Sequence, residues 1–180
     1  MEVVELGPER CDALLRFFAE LPEGDLTFIK EEVTDPDTVR SWATASSPGR
    51  RWVAVEGDDV AGYAAVRPLP GWSDHVGELR LVVATSQRGK GLGRELARRA
   101  LVEAVSSGLS KLVVEVVAEQ GAALALFTDL GFTGEALLRD HIRDRSGELR
   151  DLMVLAHHVS ETWSGMDTVG IADELGTPAG

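Results

Sequence analysis

Arg88-Gly89-Lys90-Gly91-Leu92-Gly93-Arg94 is the stretch of sequence that decides the fold. It follows a strand-like run whose continuous apolar end, Leu81-Val82-Val83-Ala84, is expected to be buried. It also opens a helix with Leu92 and Leu96 on its apolar side. Glycine permits positive φ angles and lets a ligand approach the main chain closely. Successive amides at a helix N-terminus attract an anion. The stretch therefore predicts a binding site for a phosphate-bearing ligand.

The charge around this glycine turn supports the same prediction. Five basic residues fall within twelve positions of a chain whose formal net charge is −12: Arg88, Lys90, Arg94, Arg98 and Arg99. Two familiar phosphate loops do not match. The P-loop requires Ser or Thr after Gly-Lys, but Gly91 stands there. The dinucleotide pattern GxGxxG requires its third glycine one place later than Gly93. A glycine-rich turn without a ligand is the remaining alternative.

Composition limits the classes of protein to consider. The 180 residues fit one domain, and a hydrophobic content of 44% excludes global disorder. With 30 acidic and 18 basic residues the chain is a poor general binder of nucleic acid but would suit a cationic partner. Cys11 is the only cysteine, so no disulfide within the chain is possible. No apolar run approaches the roughly 20 residues of a membrane span, and the start does not look like a signal peptide, so a cytoplasmic location is expected.

Hydrophobic periodicity predicts the element order β α α β β β α β α β β, with the first helix over about Glu9 to Glu20 and a turn at Pro22 to Asp25. Helices that alternate with strands can cover both faces of a mixed sheet, which places the chain in the α/β class. Residues 1–160 are expected to form this single domain. Residues 161–180 lose the periodicity and are expected to be a polar, acidic tail that is partly disordered.

At the glycine turn the chain resembles the GNAT superfamily of acyl-CoA-dependent N-acyltransferases. Arg88-Gly89-Lys90-Gly91-Leu92-Gly93 is similar to the RxxGxG element of that family, which also lies between the fourth strand and the following long helix. The segment 123–132, which ends in Gly131-Phe132, resembles a later helix of the family. The resemblance implies a mixed sheet flanked by helices on both faces, with strands 4 and 5 splayed apart to form a coenzyme A cleft.

The resemblance also implies which residues bind acetyl-CoA as cosubstrate. The pyrophosphate is expected to bind to the glycine turn, which consists of Arg88, Gly89, Lys90, Gly91, Leu92, Gly93 and Arg94. The pantetheine arm is expected to form hydrogen bonds with the backbone of Leu81, Val82 and Val83. At the later helix, Gln120 replaces an Asn of the family and can make similar hydrogen bonds. Phe127 stands where many members carry a Tyr that protonates the leaving thiolate, and a phenyl ring cannot donate a proton.

Glu78 is the candidate catalytic residue. It lies on the predicted fourth strand, where many relatives in this superfamily carry a Glu that acts as general base. A carboxylate buried beside apolar strands would have a raised pKa and could accept a proton near neutral pH. The competing interpretations are a solvated glutamate on the strand face, or one paired with Arg80 or Arg67.

The function that the resemblance implies is acetyl transfer from acetyl-CoA to a primary amine, by direct attack in a ternary complex. The acceptor stays open between a small amine and a protein lysine. Binding of nucleic acid or of a membrane is not expected. Metal binding is not expected either, because His157 and His158 should point to opposite faces of a strand without a third ligand. A homodimer is compatible with the resemblance. The alternative function is an acyl-CoA-binding regulatory module with weak or no catalysis, which the Phe127 replacement favours.

Overall fold

The computed structural model describes residues 1–26, 28–44 and 47–159. The tail expected at 161–180 lies outside these residues. The described chain contains seven β-strands and five α-helices: β1 (Glu2–Glu5), α1 (Cys11–Ala19), α2 (Glu23–Leu26), α3 (Pro36–Ser41), β2 (Arg50–Glu56), β3 (Asp59–Pro68), β4 (Val76–Val83), α4 (Leu92–Ser106), β5 (Lys111–Val117), α5 (Gly121–Asp129), β6 (Thr133–Arg143) and β7 (Leu149–His158). None of these helices combines the length and apolar character needed to cross a membrane.

All seven strands belong to one sheet in the order β1-β2-β3-β4-β5-β7-β6. The β4–β5 pair is parallel, and every other neighbouring pair is antiparallel. The parallel pair needs a crossover, which α4 supplies between the two strands. The predicted mixed sheet is thereby confirmed.

Helices cover both faces of the sheet, as predicted. On one face α4 and α5 bury a core that includes Leu79, Leu96 and Phe132. On the other face α1 and α3 bury a second core that includes Phe18 and Val39. Alternation along β4 divides its side chains between these cores, so that residues 79, 81 and 83 face α4.

Strands β4 and β5 separate after only four residue pairs. Val76–Leu79 of β4 pairs with Lys111–Val114 of β5, and beyond that point β4 pairs only with β3. We call the end of this pairing, at Leu79 and Val114, the fork. The splay expected from the resemblance is confirmed. The expectation that the apolar end of β4 is buried was wrong, because residues 81–83 line the cleft and residues 81–84 are only half-buried.

The N-terminal region differs in detail from the sequence prediction. The first helix was expected over about Glu9 to Glu20, whereas a 3₁₀ turn at Pro8–Arg10 precedes α1. Pro22 to Asp25 was expected to be a turn but leads into the short helix α2, in which the amides of Asp25 and Leu26 both donate to the Pro22 carbonyl. A turn and a single helical turn share the same sequence signals, so the pattern could not separate them.

Candidate active site

A cleft with a volume of about 1000 Å³ opens at the fork. That volume lies at the upper end of the range for ligand pockets, roughly 300–1,000 Å³. Ten of the twelve residues predicted to bind the cofactor line it: Leu81, Val82, Val83, Arg88, Gly89, Gly91, Gly93, Arg94, Gln120 and Phe127. The side chains of the other two point elsewhere, since Leu92 is buried in the α4 core and Lys90 is exposed to solvent.

The glycine turn, residues 88–94, has the backbone geometry of an anion site. Gly89 and Gly91 have φ angles of 73° and 90°, in the left-handed region that favours glycine. Gly91 is also the N-cap of α4, and among the described residues no side chain caps this helix. The first amides of α4 are therefore left for another partner. A ligand with negative charge fits them, because the helix dipole favours an anion there.

Gly93 has a different role, which is close packing. A Cβ atom at this position would lie 3.3 Å from Leu126 Cδ2 and 3.7 Å from Val83 Cγ2. These neighbours belong to α5 and β4, the two elements on either side of the cleft. The missing side chain thus lets the N-terminus of α4 sit close to both walls.

The two arginines of the turn that line the cleft are held by carboxylates. Arg88 Nη2 lies 2.6 Å from Asp25 Oδ2 of α2, and Arg88 Nε donates to the Val83 carbonyl over 3.2 Å. Arg94 Nη2 donates to Asp129 Oδ2 over 3.0 Å. Both guanidinium groups lie at the cleft wall and are at least one-third exposed, so they are accessible to a phosphate.

The exposed edge of β4 presents main-chain groups to the gap. The hydrogen bond from Arg88 shows that the Val83 carbonyl points away from β3. The neighbouring Ala84 amide donates to Ala61 of β3 over 2.9 Å, so alternation places the groups of Leu81 and Val83 on the gap side. Of the three residues predicted to hold the pantetheine arm, Val82 directs its main-chain groups to β3, but its side chain lines the cleft.

Six charged side chains meet at the inner end of the cleft, beside the fork. We call them the fork cluster: Lys30, Glu31, Arg67, Glu78, Arg80 and Glu115. Arg80 is central, with its nitrogens 3.1 Å from Glu31, 2.9 Å from Glu78 and 3.6 Å from Glu115. Burial alone would lower the pKa of Arg80, but the three carboxylates outweigh it and raise that pKa above its ordinary value.

Glu78 is buried, with 8% of its surface exposed, and belongs to this cluster. Its carboxylate contacts Arg80 and lies 3.5 Å from Lys30 Nζ, so the pairing with Arg80 that the sequence left open is present. Glu78 is not part of the cleft wall, whereas Glu115 is. Its catalytic role stays a prediction.

Sequence reasoning missed Glu115, Lys30 and Glu31. Glu115 is the first residue of β5 beyond the fork, and it lies on the same sheet face as Glu78 because Glu78 pairs with Val113. Only the register of β4 against β5 places Glu115 beside Glu78, and no sequence pattern marks that register. Lys30 and Glu31 lie between α2 and α3, in a segment without periodicity, and no pattern marked them.

The cleft offers no tyrosine on α5. The Phe127 ring is buried and packs edge-to-face on Phe132 with ring centroids 5.3 Å apart. Tyr63 on β3 also lines the cleft, but burial raises the pKa of its hydroxyl well above the usual value, so it is a poor proton donor. Trp42 lines the cleft and stacks on Tyr63, while Trp72 is 95% exposed and does not line it.

His157 and His158 lie on opposite faces of β7, as alternation predicts. His157 is buried, and its Nδ1 donates to the Gly131 carbonyl over 3.0 Å. His158 Nε2 lies 3.8 Å from Glu135 Oε1. Across the part of the chain that the structure describes, no three His, Cys, Asp or Glu side chains are grouped as a metal site.

Comparison with known proteins identifies the family. Residues 15–132 match the model of the acetyltransferase (GNAT) family. The chain is 31% identical over 130 residues to N-acetyltransferase 8F1 of Rattus norvegicus, an alignment that covers 69% of this chain and 58% of that protein. The chain spans from about a quarter to about three fifths of the length of the curated relatives it matches.

Solved structures agree on the fold. Ribosomal-protein-alanine N-acetyltransferase from Brucella melitensis superimposes with a TM-score of 0.78 at 24% identity, covering 88% of this chain and 99% of that one. The putative acetyltransferase yncA from Salmonella typhimurium, solved with its cofactor acetyl-CoA, gives 0.76 at 22% identity, covering 88% and 94%. From the matched family model, with a fold and a glycine turn that agree with it, the chain belongs to the GNAT family of acetyltransferases.

Proposed function

We propose that the chain transfers an acetyl group from acetyl-CoA to a primary amine, by direct attack in a ternary complex. One observation carries the proposal: a single cleft joins an anion site at the N-terminus of α4 to a group of carboxylates at the fork. A nucleotide thioester has its phosphates at one end and its reactive carbonyl at the other, which matches this separation of charge. The family membership and the acetyl-CoA of the Salmonella neighbour support the same assignment.

In this proposal the glycine turn binds the pyrophosphate. The uncapped amides of α4 donate to phosphate oxygens, and Arg88 and Arg94, which line the cleft, neutralise their charge. The gap-side main-chain groups of Leu81 and Val83 hydrogen-bond the amides of the pantetheine arm. Gln120, the N-cap of α5, lines the opposite wall and can donate to the arm from its side-chain amide.

The chemical step needs a neutral amine and a group that accepts its proton. Glu78 is the predicted base, and Glu115 is a second candidate because its carboxylate lines the cleft directly. The amine nitrogen then attacks the thioester carbonyl, the C–S bond breaks, and coenzyme A leaves as a thiolate. A thiol pKa near ~8.5 makes that thiolate a tolerable leaving group without an acid, which is consistent with Phe127 on α5.

The acidic side chains of the cleft favour an acceptor that arrives as an ammonium ion. Five carboxylates and four basic side chains line the wall, and the carboxylates at the inner end are those of Glu31 and Glu115. The net charge of −12 acts in the same direction at longer range. The acceptor is a primary amine of this kind, either a small molecule or a lysine side chain of a protein.

Calorimetric titration of acetyl-CoA tests the cofactor site first. We expect saturable binding by the parent protein and none by the double variant Arg88→Ala, Gly91→Asp. Release of free thiol in the presence of candidate amines then measures transfer. A folded parent protein that binds no acetyl-CoA would refute the proposal.

Two glutamine variants test the base. Replacing the true base should lower kcat by roughly 10²–10⁴-fold and leave acetyl-CoA affinity nearly unchanged. Glu78→Gln and Glu115→Gln are compared with Glu135→Gln, which removes an ion-paired carboxylate outside the cleft. The alternative is a regulatory module that binds acyl-CoA without catalysis. Acetyl-CoA binding without thiol release by the parent protein, across the acceptor classes, would favour that alternative.

A further inference from the structure

One primary amine of the chain itself lies at the inner end of the cleft. Lys30 Nζ is 3.3 Å from Glu115 Oε2 and 3.5 Å from Glu78 Oε1. Lys30 is the only lysine among the described residues that line the cleft. The whole sequence contains three lysines against fifteen arginines, and the other two are Lys90 and Lys111.

Lys30 matters because of the direction in which acetyl-CoA would enter the cleft. This inference rests on the proposed function. The glycine turn follows the C-terminal end of β4, so the pantetheine arm runs back along the strand toward the fork. The open edge from Arg80 to Val83 is four residues, or about 13 Å at ~3.3 Å per residue. The thioester would therefore reach the fork, where the Lys30 amine lies.

The two carboxylates next to Lys30 are the two candidate bases. An ammonium held by both Glu78 and Glu115 occupies the place where an acceptor amine must sit to be deprotonated and to attack. The Lys30 side chain is 63% exposed, so it can move within the cleft, whereas the carboxylate of Glu78 is fixed by Arg80. Lys30 thus combines a nucleophile, an adjacent base and freedom to approach the thioester.

We propose that Lys30 is an acetylation site modified in cis by the acetyl-CoA bound to the same chain. The Lys30 ammonium gives a proton to a carboxylate of the fork cluster, and the neutral Nζ attacks the acetyl carbonyl. The N–C bond forms as the C–S bond breaks, coenzyme A leaves as a thiolate, and the second N–H proton passes to the sulfur. The products are acetyl-Lys30 and free coenzyme A.

Mass spectrometry of the full chain incubated with acetyl-CoA tests this proposal. We expect one acetyl group per chain, which peptide mapping assigns to Lys30, and a first-order rate that does not change with protein concentration. Lys90, which is exposed, reports uncatalysed chemical acetylation in the same sample. Lys30→Arg should abolish the modification, while Lys111→Arg should leave it unchanged because Lys111 pairs with Glu135 outside the cleft.

Three results would overturn the proposal. Lys30 would be acetylated no faster than Lys90, or at a rate that rises with protein concentration, or equally fast in the Gly91→Asp variant. Thermal unfolding of Lys30→Arg checks that the variant is folded. Thiol release with external amines separates this failure from that of the proposed function: turnover with unmodified Lys30 refutes only cis acetylation, and no acetyl-CoA binding by the parent refutes both.

Discussion

The two ends of the cleft are built in opposite ways. The glycine turn at its outer end is seven consecutive residues, 88–94, whose backbone angles and uncapped amides create the site. The fork cluster at its inner end draws side chains from β3, β4, β5 and the segment before α3. A binding site made of backbone can be recognised from a short motif, whereas a site made of side chains depends on strand register.

The largest expected effect comes from a substitution in the glycine turn, at the outer end of the cleft. Gly91→Asp places a carboxylate at the N-cap of α4, among the amides expected to bind phosphate. Acetyl-CoA affinity should fall by about 150-fold or more, because at least two charge-assisted hydrogen bonds are lost at roughly 1.5–3 kcal/mol each. Calorimetric titration measures the change.

Gly147→Asp is the matched control for that variant. Gly147 has a φ angle of 91°, against 90° for Gly91, and a Cβ atom at either position meets open space. Both variants therefore carry the same backbone strain, but residue 147 lies in the turn between β6 and β7, away from the cleft. Equal losses of affinity in the two variants would mean that strain alone, and not the anion site, explains the effect.

The second prediction concerns the inner end. Arg80→Met leaves Glu31, Glu78 and Glu115 without their shared cation, and the Arg80 side chain is only 13% exposed. The free energy of unfolding should fall by about 3 kcal/mol, because removing one partner of a buried ion pair leaves uncompensated charge. Denaturant unfolding at neutral pH provides the measurement.

Arg150→Met tests whether burial explains the loss of stability that is expected for Arg80→Met. Arg150 also contacts three carboxylates, those of Asp144, Glu148 and Glu119, but it lies at the surface. Its loss should lower stability much less than the loss of Arg80, since water screens the remaining charges. A similar loss in both variants would contradict the distinction between a buried and a solvated network.

The smallest expected effect concerns the ion pair between Asp25 of α2 and Arg88 of the glycine turn. Asp25→Asn removes the carboxylate that holds Arg88 and frees the guanidinium for phosphate. Acetyl-CoA should then bind about two- to five-fold more tightly, which is the range for a partly exposed ion pair. The gain should shrink at high salt, where screening already weakens the pair. Weaker binding would mean that Asp25 positions Arg88 for the cofactor instead of competing with it.

The same contrast explains which parts of the molecule were readable from sequence. The α/β class and the glycine turn follow from periodicity and from one motif, and the family model confirms the resemblance that rests on that motif. The order of elements along the chain was also predicted, except for the short helix α2. Phe127 was placed correctly on a helix that lines the cleft because Gly131-Phe132 fixed its position.

The fork cluster could not be predicted from periodicity or from a motif. Glu115 comes next to Arg80 only through the parallel pairing of β4 with β5, and two distant strands carry no sequence signal for their register. Lys30 and Glu31 lie in an irregular segment that has no apolar period. The burial of residues 81–84 was mispredicted for the same reason, since their apolar run does not show that β5 turns away.

The fork also leaves an unpaired strand edge inside the sheet. Such edges invite other chains to add a strand, and natural proteins usually cover or shorten them. Here the gap between β4 and β5 admits one narrow, extended ligand with its own amides, which would pair with Leu81 and Val83 much as a strand does. Bound acetyl-CoA would then act as a piece of the sheet, and slower hydrogen exchange at these two amides would report its arrival.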